Sequence, residues 1–272
     1  MERIHIDDLF YSGAKEKLDK YIKDGIIRSS SHPSYPLTIY NYTHLCQFDK
    51  IWNPLTLQCR GLVLDAAGTV FARPLKKFFN HTEVWKEIPF HESFEVFEKL
   101  DGSLIILFWY QVGDIGQWIF ASRGSFVSDQ AIEAEKIWAE KYPNQSPFLD
   151  RNLTYLFEII YPSNRIVVDY KDRRDLVLLA AINTRTGEER PHDPNCILSE
   201  VSSSLPQFPL AKKYSFHDFD EVLKSKSLDN EEGYVVKFES GFRCKIKFEE
   251  YVRLHRIVTG TSARTIWEAL SN

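Results

Sequence analysis

Lys99-Leu100-Asp101-Gly102 is the segment of this chain best suited to chemistry. A lysine amine attacks a phosphorus or carbonyl centre only from a partly desolvated pocket that helps it shed its proton, and the apolar-rich stretch before Lys99 can build one wall of such a pocket. The same tetrad is also compatible with an exposed strand end turning at Asp101-Gly102. A second segment weighs against that plainer alternative. In Phe242-Arg243-Cys244-Lys245-Ile246-Lys247-Phe248, alternation puts Arg243, Lys245 and Lys247 on one strand face and the apolar residues on the other. Three like charges on one face repel unless the face meets an anion, such as a triphosphate or a nucleic acid.

Further candidates surround these two. Glu158 is a carboxylate inside the apolar run Tyr155-Leu156-Phe157-Glu158-Ile159-Ile160, so it must be paired, in a salt bridge or with a ligand or a metal-bound water. Glu232-Gly233 opens an apolar strand and by itself reads equally as a turn. Arg60-Gly61, and Arg73, Lys76 and Lys77 before Phe78-Phe79, set basic groups beside aromatics, a combination suited to phosphates and bases as well as to ordinary surface. Arg123-Gly124-Ser125 offers a guanidinium at a strand end, or a surface turn.

The elements that must hold these groups are mixed. Residues 7–24 carry a helical apolar stripe closed by Gly25, and Leu37 to Tyr42 reads as a short strand. Residues 60–65 and 69–72 predict a hairpin, Ser103 to Tyr110 a buried strand, and Gln117 to Ser122 its hairpin partner. Ser128 caps a helix with Ala131, Ala134 and Trp138 on its apolar side. Strands follow at 153–160, 166–170 and 176–183, then a Pro- and Ser-rich loop from Pro191 to Pro209. A hairpin at 231–248 turns at Ser240-Gly241, and helices follow near 249–257 and 262–270. The expected class is α+β, mostly antiparallel sheets with helices outside.

Composition narrows the function. The 272 residues, 43% hydrophobic, suffice for one large core or two modest ones. A formal net charge of −4 argues against a nonspecific nucleic-acid coat and leaves room for a local basic cleft. No apolar run approaches the roughly 20 residues of a membrane span, and the acidic opening Met1-Glu2-Arg3-Ile4-His5-Ile6-Asp7-Asp8 lacks signal-peptide character, so a cytoplasmic location is expected, the host cytoplasm if the protein is viral. Cys46, Cys59, Cys196 and Cys244 lack metal-ligand spacing and are expected to be reduced and mostly buried.

Taken in order, Arg60-Gly61, Lys99-x-Asp101-Gly102, Phe157-Glu158, Glu232-Gly233 and Lys245-x-Lys247 resemble the motif series of covalent nucleotidyltransferases. Tyr40-Asn41-Tyr42, Cys59-Arg60-Gly61, Lys77-Phe78-Phe79-Asn80, Pro162-Ser163-Asn164-Arg165-Ile166-Val167 and Tyr251-Val252-Arg253-Leu254-His255 narrow the resemblance to phage-type ATP-dependent RNA ligases of transfer-RNA repair. The resemblance implies a nucleotidyltransferase domain, expected as a single domain over 1–272 with 1–55 integral to it and ATP in a cleft between sheets; the transfer-RNA repair members continue into a helical domain that helps select substrate, and no such separate C-terminal substrate domain is expected here. It also implies joining of RNA 3′-hydroxyl and 5′-phosphate ends through lysyl-AMP on Lys99 and an RNA-adenylate. Arg60, Lys77, Lys245 and Lys247 would contact phosphates, Lys245 and Lys247 as catalytic groups, while Tyr40, Gly102 and Glu158 would hold the nucleotide. Mg²⁺ would be contacted through water by Asp101 and Glu232, and Tyr251 is a further site candidate. Arg123 stands where the family usually has lysine, replacing a point charge with a planar fork. RNA ends are the implied partner, with no membrane and no obligatory protein partner. The alternatives are a DNA or other polynucleotide ligase or a guanylyltransferase, and, outside enzymes, a noncatalytic binder of nucleotides or RNA ends.

Overall fold

The computed structural model describes residues 3–193, 208–225 and 230–260. In chain order the elements are α1 (Ile6–Leu9), α2 (Ala14–Lys23), β1 (Ile27–Ser31), β2 (Leu37–Tyr42), α3 (His44–Phe48), α4 (Pro54–Gln58), β3 (Arg60–Asp65), β4 (Val70–Ala72), β5 (Phe79–Asn80), β6 (Phe94–Glu98), β7 (Ser103–Val112) and β8 (Ile115–Ser122). There follow α5 (Asp129–Lys141), β9 (Leu153–Ile160), β10 (Asp175–Asn183), β11 (Lys213–Tyr214), α6 (Phe219–Lys224), β12 (Gly233–Phe238), β13 (Arg243–Lys247) and α7 (Glu249–Gly260). They form two compact units through which the chain passes alternately. Unit 1 comprises Met1–Lys77, Ser103–Ile159 and Asp175–Leu210; unit 2 comprises Phe78–Gly102, Ile160–Arg174 and Ala211–Asn272.

Unit 1 is built from two four-stranded sheets, ordered β1-β2-β3-β4 and β10-β9-β7-β8. Alternation explains their packing: Leu37, Ile39 and Val63 of the first sheet share a core with Leu104, Ile106, Phe108, Leu156 and Ala180 of the second. The opposite face of the first sheet, through Tyr40, Leu62 and Leu64, packs on Ile6, Leu18 and Tyr21 from α1 and α2. Helix α5 covers the second sheet with Ala131, Ala134, Ile137 and Trp138, and the Ser128 hydroxyl accepts the Ala131 N–H at its start.

Unit 2 contains a five-stranded sheet, β11-β6-β12-β13-β5, antiparallel except where β5 runs parallel to β13. Tyr234, Val236, Phe238, Cys244 and Ile246 line its apolar face and pack on Phe219 and Val222 of α6 and Tyr251 of α7. The other face of β13 carries Arg243, Lys245 and Lys247, as alternation requires. The fold is α+β with mostly antiparallel sheets and helices on their faces. No helix among the described residues is long and apolar enough to cross a membrane. Cys46, Cys59 and Cys244 are buried and unpaired, whereas Cys196, most of the 191–209 loop and the 262–270 helix lie outside the described residues.

The structure corrects two expected elements. The single helix over 7–24 is two helices, because Gly13 takes a left-handed φ of +84° and ends the periodicity. The strand expected at 166–170 does not form: the Val167 and Val168 amides donate to the Asp101 carboxylate instead of to a neighbouring strand.

Candidate functional site

In unit 2 the tetrad is set by the sheet. The Lys99 N–H donates to the Gly233 carbonyl (2.9 Å), just beyond β6, which holds the lysine beside the β12 entrance. There Glu232, only 3% exposed, lies between two ammoniums. Lys99 Nζ is 2.6 Å from Oε2 and Lys247 Nζ is 2.8 Å from Oε1. Gly233 has φ +142°, and a Cβ would overlap the Ile246 carbonyl, so only glycine lets β12 and β13 close behind the carboxylate. The cationic face of β13 is therefore not exclusively cationic: a buried carboxylate sits against its end. Lys245 lies over the Phe78 ring at 5.6 Å, while the His81 N–H donates to the Lys245 carbonyl (2.8 Å).

Asp101 has a different task from the lysine two residues before it. Its Oδ2 accepts the Val167 and Val168 N–H groups at 2.8 Å each, its Oδ1 accepts the Tyr251 hydroxyl at 2.7 Å, and its own N–H donates to the Tyr170 hydroxyl at 2.8 Å. One carboxylate thus fastens segment 160–174 and helix α7 to the tetrad, with Gly102 next in the chain. Tyr251 is itself buried, and burial followed by the nearby Glu232 and Asp101 charges drives its hydroxyl pKa far up. Lys247 Nζ sits 4.9 Å from the centre of its ring. Tyr251 is therefore a buried brace and not an open ring on which an RNA base can stack.

A second cluster forms within unit 1. Asn53 caps α4 with a capping box and Pro54 opens it, which fixes the start of the helix; it ends at Cys59, whose ψ of 68° is not helical, and Arg60 follows at the start of β3. Gly61, at φ +103°, is required because a Cβ would overlap Ile106. Burial lowers the Arg60 pKa, the positive charge of Arg123 lowers it further, and Tyr42 and Glu158 counter both. Lys77 Nζ lies 5.2 Å from the Tyr42 ring and 5.0 Å from the Trp52 ring, and the Arg123 guanidinium is 5.6 Å from Tyr42. The Tyr42 and Trp52 rings meet edge-on at 5.2 Å. This gathers three cations and one carboxylate around two aromatic rings.

Tyr40 is not part of that gathering. It is 5% exposed in the core beneath α2, where burial pushes its hydroxyl up to about 12. The aromatic beside Arg60, Lys77 and Arg123 is Tyr42, two residues on, with Trp52 as its companion. Neither was singled out from sequence. The available signal was the second tyrosine of Tyr40-Asn41-Tyr42: both rings meet the core beneath α2, and Tyr42, at the end of β2, is only half-buried.

Asp101 and Glu232 were expected to face a metal through water. Their oxygens are engaged by three protein donors and two ammoniums respectively, and no group of three His, Cys, Asp or Glu side chains converges among the described residues. That donor set builds no all-protein cage. It fits a Mg²⁺ ion that arrives on nucleotide phosphates and keeps most of its waters.

The comparisons with known proteins agree on one family. Residues 58–251 match the RNA ligase family profile. A protein of Autographa californica nuclear polyhedrosis virus, named as a bifunctional polynucleotide kinase/RNA ligase, is 28% identical over 93% of this chain and 38% of its own length. An RNA ligase of Rhodothermus phage RM378 is 24% identical over 87% of this chain and 67% of its own. The chain therefore spans from somewhat over a third to about two thirds of these relatives. In structure, a Naegleria gruberi RNA ligase solved with pyrophosphate superposes with a TM-score of 0.51 and 18% identity over 66% of this chain and 57% of that one, a likeness of fold.

Proposed function

Since the chain belongs to the RNA ligase family, we propose that it is an ATP-dependent enzyme that joins RNA 3′-hydroxyl and 5′-phosphate ends, with residues 1–272 working as one nucleotidyltransferase domain. The observation that carries the reading is the clamp of the buried Glu232 between Lys99 and Lys247.

A lysine held this way has its Nζ fixed in place, with a carboxylate within hydrogen-bond reach to take its proton. Lys99 Nζ attacks the α-phosphorus of ATP, forming a P–N bond as pyrophosphate leaves. The adenylyl group then passes to the RNA 5′-phosphate, and the 3′-hydroxyl displaces AMP to seal the strand. Lys245 and Lys247 supply positive charge as it builds on the phosphoryl oxygens, and they do so from a rigid strand. Arg60, Lys77 and Arg123 are assigned to phosphate groups, and Tyr42 and Glu158 to the nucleoside, with Tyr42 in place of Tyr40. Mg²⁺, when bound with ATP, shields the triphosphate charge. Asp101 acts as a positioning residue that ties the tetrad to Val167, Val168 and Tyr251.

Matched substrates test the reading: single-stranded RNA, nicked RNA duplex, nicked DNA duplex, and a chimera with deoxyribose at the 3′-hydroxyl end, each offered to preadenylated enzyme. RNA with a ribose 3′-hydroxyl is expected to be sealed best, because a 2′-hydroxyl is a donor and acceptor that DNA lacks. Fastest sealing of nicked DNA would refute the RNA assignment and leave the adenylation chemistry intact. Whether transfer RNA is the natural target is read by the same assay on a cleaved anticodon loop, which should outcompete linear RNA of equal length.

A further inference from the structure

Three arginines of unit 1 have no carboxylate within ion-pair distance among the described residues, although two of them are partly withdrawn from water. Arg3 donates to the Phe71 carbonyl (3.2 Å) and the Trp109 carbonyl (2.5 Å), with its guanidinium 4.7 Å from the Phe71 ring centre. Burial pulls its pKa down to about 10. Arg73 follows two residues after Phe71, donates to the Arg185 carbonyl (3.0 Å), and lies against Gly187; burial lowers its pKa as well. Arg151 is exposed and sits 4.3 Å from the Trp109 ring centre. Arg3 and Arg151 both reach Trp109, the first at its main-chain carbonyl and the second at its ring, and Arg73 reaches the main chain at Arg185. Burying positive charge without an anion is costly, and main-chain carbonyls compensate it only in part.

Arg3 lines a pocket of about 230 Å³ with Ile4, Asn152, Asn183, Thr184, Arg185 and Thr186; Arg73 bonds to its Arg185 and Arg151 precedes its Asn152 in the chain. The lining contains guanidinium, amide and hydroxyl groups and no carboxylate. Its volume falls below the roughly 300–1,000 Å³ of pockets that enclose a drug-sized ligand, so it suits one small group of a larger molecule. Fixed guanidiniums with spare N–H donors match the oxygens of a phosphate. Trp109 lies three residues along β7 from Ile106, which packs on Gly61 beside Arg60, about 10 Å away at strand rise.

We propose that this pocket, with Arg3 in its lining and Arg73 and Arg151 next to lining residues, is an additional binding site for a phosphodiester group of an RNA strand. The choice of RNA rests on the ligase reading above; the anion site rests on the arginines and the pocket.

The test measures binding of a labelled single-stranded RNA by fluorescence anisotropy across a salt series, alongside adenylation by ATP. Arg151→Ala removes an exposed charge, and Arg3→Lys retains charge while losing the fork, so both variants should fold, as thermal melting will verify. The expected result is a roughly three- to tenfold loss of RNA affinity in each, with the Arg151→Ala salt slope shallower by about 0.7, and AMP transfer to Lys99 unchanged. RNA affinity equal to the parent's in both variants overturns the proposal. So does slowed adenylation with unchanged RNA binding, which would make the anion the nucleotide. If the parent takes up no AMP but the variants lose RNA affinity, the ligase reading fails and this site stands.

Discussion

Replacing Asp101 with alanine should destabilise unit 2 more than any other single change in the tetrad. Three donors converge on its carboxylate: the Val167 and Val168 amides and the Tyr251 hydroxyl, the latter two on residues that are 3% and 4% exposed. A buried polar group left without a partner costs about 1–3 kcal/mol. Val167 is only partly buried and can turn to water, so two stranded donors put the loss in Asp101→Ala at about 2–6 kcal/mol. Asp101→Asn preserves shape: its carbonyl can accept both amides and its NH₂ can donate to the Tyr251 oxygen, leaving a loss of about 1–2 kcal/mol from the weaker, uncharged bonds. Tyr251→Phe removes one bond to a carboxylate and should cost a similar 1–2 kcal/mol. Urea unfolding followed by circular dichroism gives the ranking, and native-state hydrogen exchange reads the Val167 and Val168 amides directly. If Asp101→Ala lies within about 1 kcal/mol of the parent and those amides keep their protection, the brace does not exist and Asp101 must be explained by ligand contacts alone.

Other outcomes follow from the same contacts. Gly233→Ala must displace the Ile246 carbonyl and hold an alanine at φ +142°, so it should cost more than about 3 kcal/mol in chemical denaturation and slow adenylation by moving Glu232. Tyr42→Leu should raise the ATP concentration needed for half-maximal adenylation at least severalfold, whereas Tyr40→Phe should leave it unchanged; the reverse result would return the nucleotide contact to Tyr40. Burial and the neighbouring Glu98 charge raise the Glu231 pKa in the fold, with Lys212 and Tyr214 opposing. The folded state thus favours the protonated acid. Its contribution is complete at pH below the unfolded value and is lost as pH rises through the raised folded value. Glu231→Gln should remove that part of the decline, and thermal melts from acidic to neutral pH that parallel the parent's would contradict the assignment.

What the sequence made legible, and what it hid, follows from where each signal resides. Period-two alternation in β13 reports backbone geometry directly, so Arg243, Lys245 and Lys247 fall on one face as expected. Pattern cannot tell where a β-branched run sends its amides, and 166–170 looks like a strand although Asp101, far away in sequence, takes two of them. Strand β1 was missed because Arg-Ser-Ser-Ser after Ile27 has little apolar content; β2 pairs along its whole length and supplies what the residues lack. Motif order located Glu232 and Lys247 individually but could not reveal that one carboxylate joins Lys99 to Lys247. Tyr42 and Tyr40 are equivalent by spacing, and only the fold shows that Tyr40 is buried while Tyr42, half-buried at the strand end, has Lys77 and Arg123 near its ring.

The most direct test of the central claim is the intact mass of the protein after incubation with ATP and Mg²⁺, followed by peptide mapping of any adduct. The expected result is a gain of one AMP, carried on Lys99, absent from Lys99→Ala and Lys99→Arg, and not replaced by GMP when GTP is supplied. An unmodified mass under conditions where ATP binds, or an adduct that persists in either Lys99 variant, would contradict it.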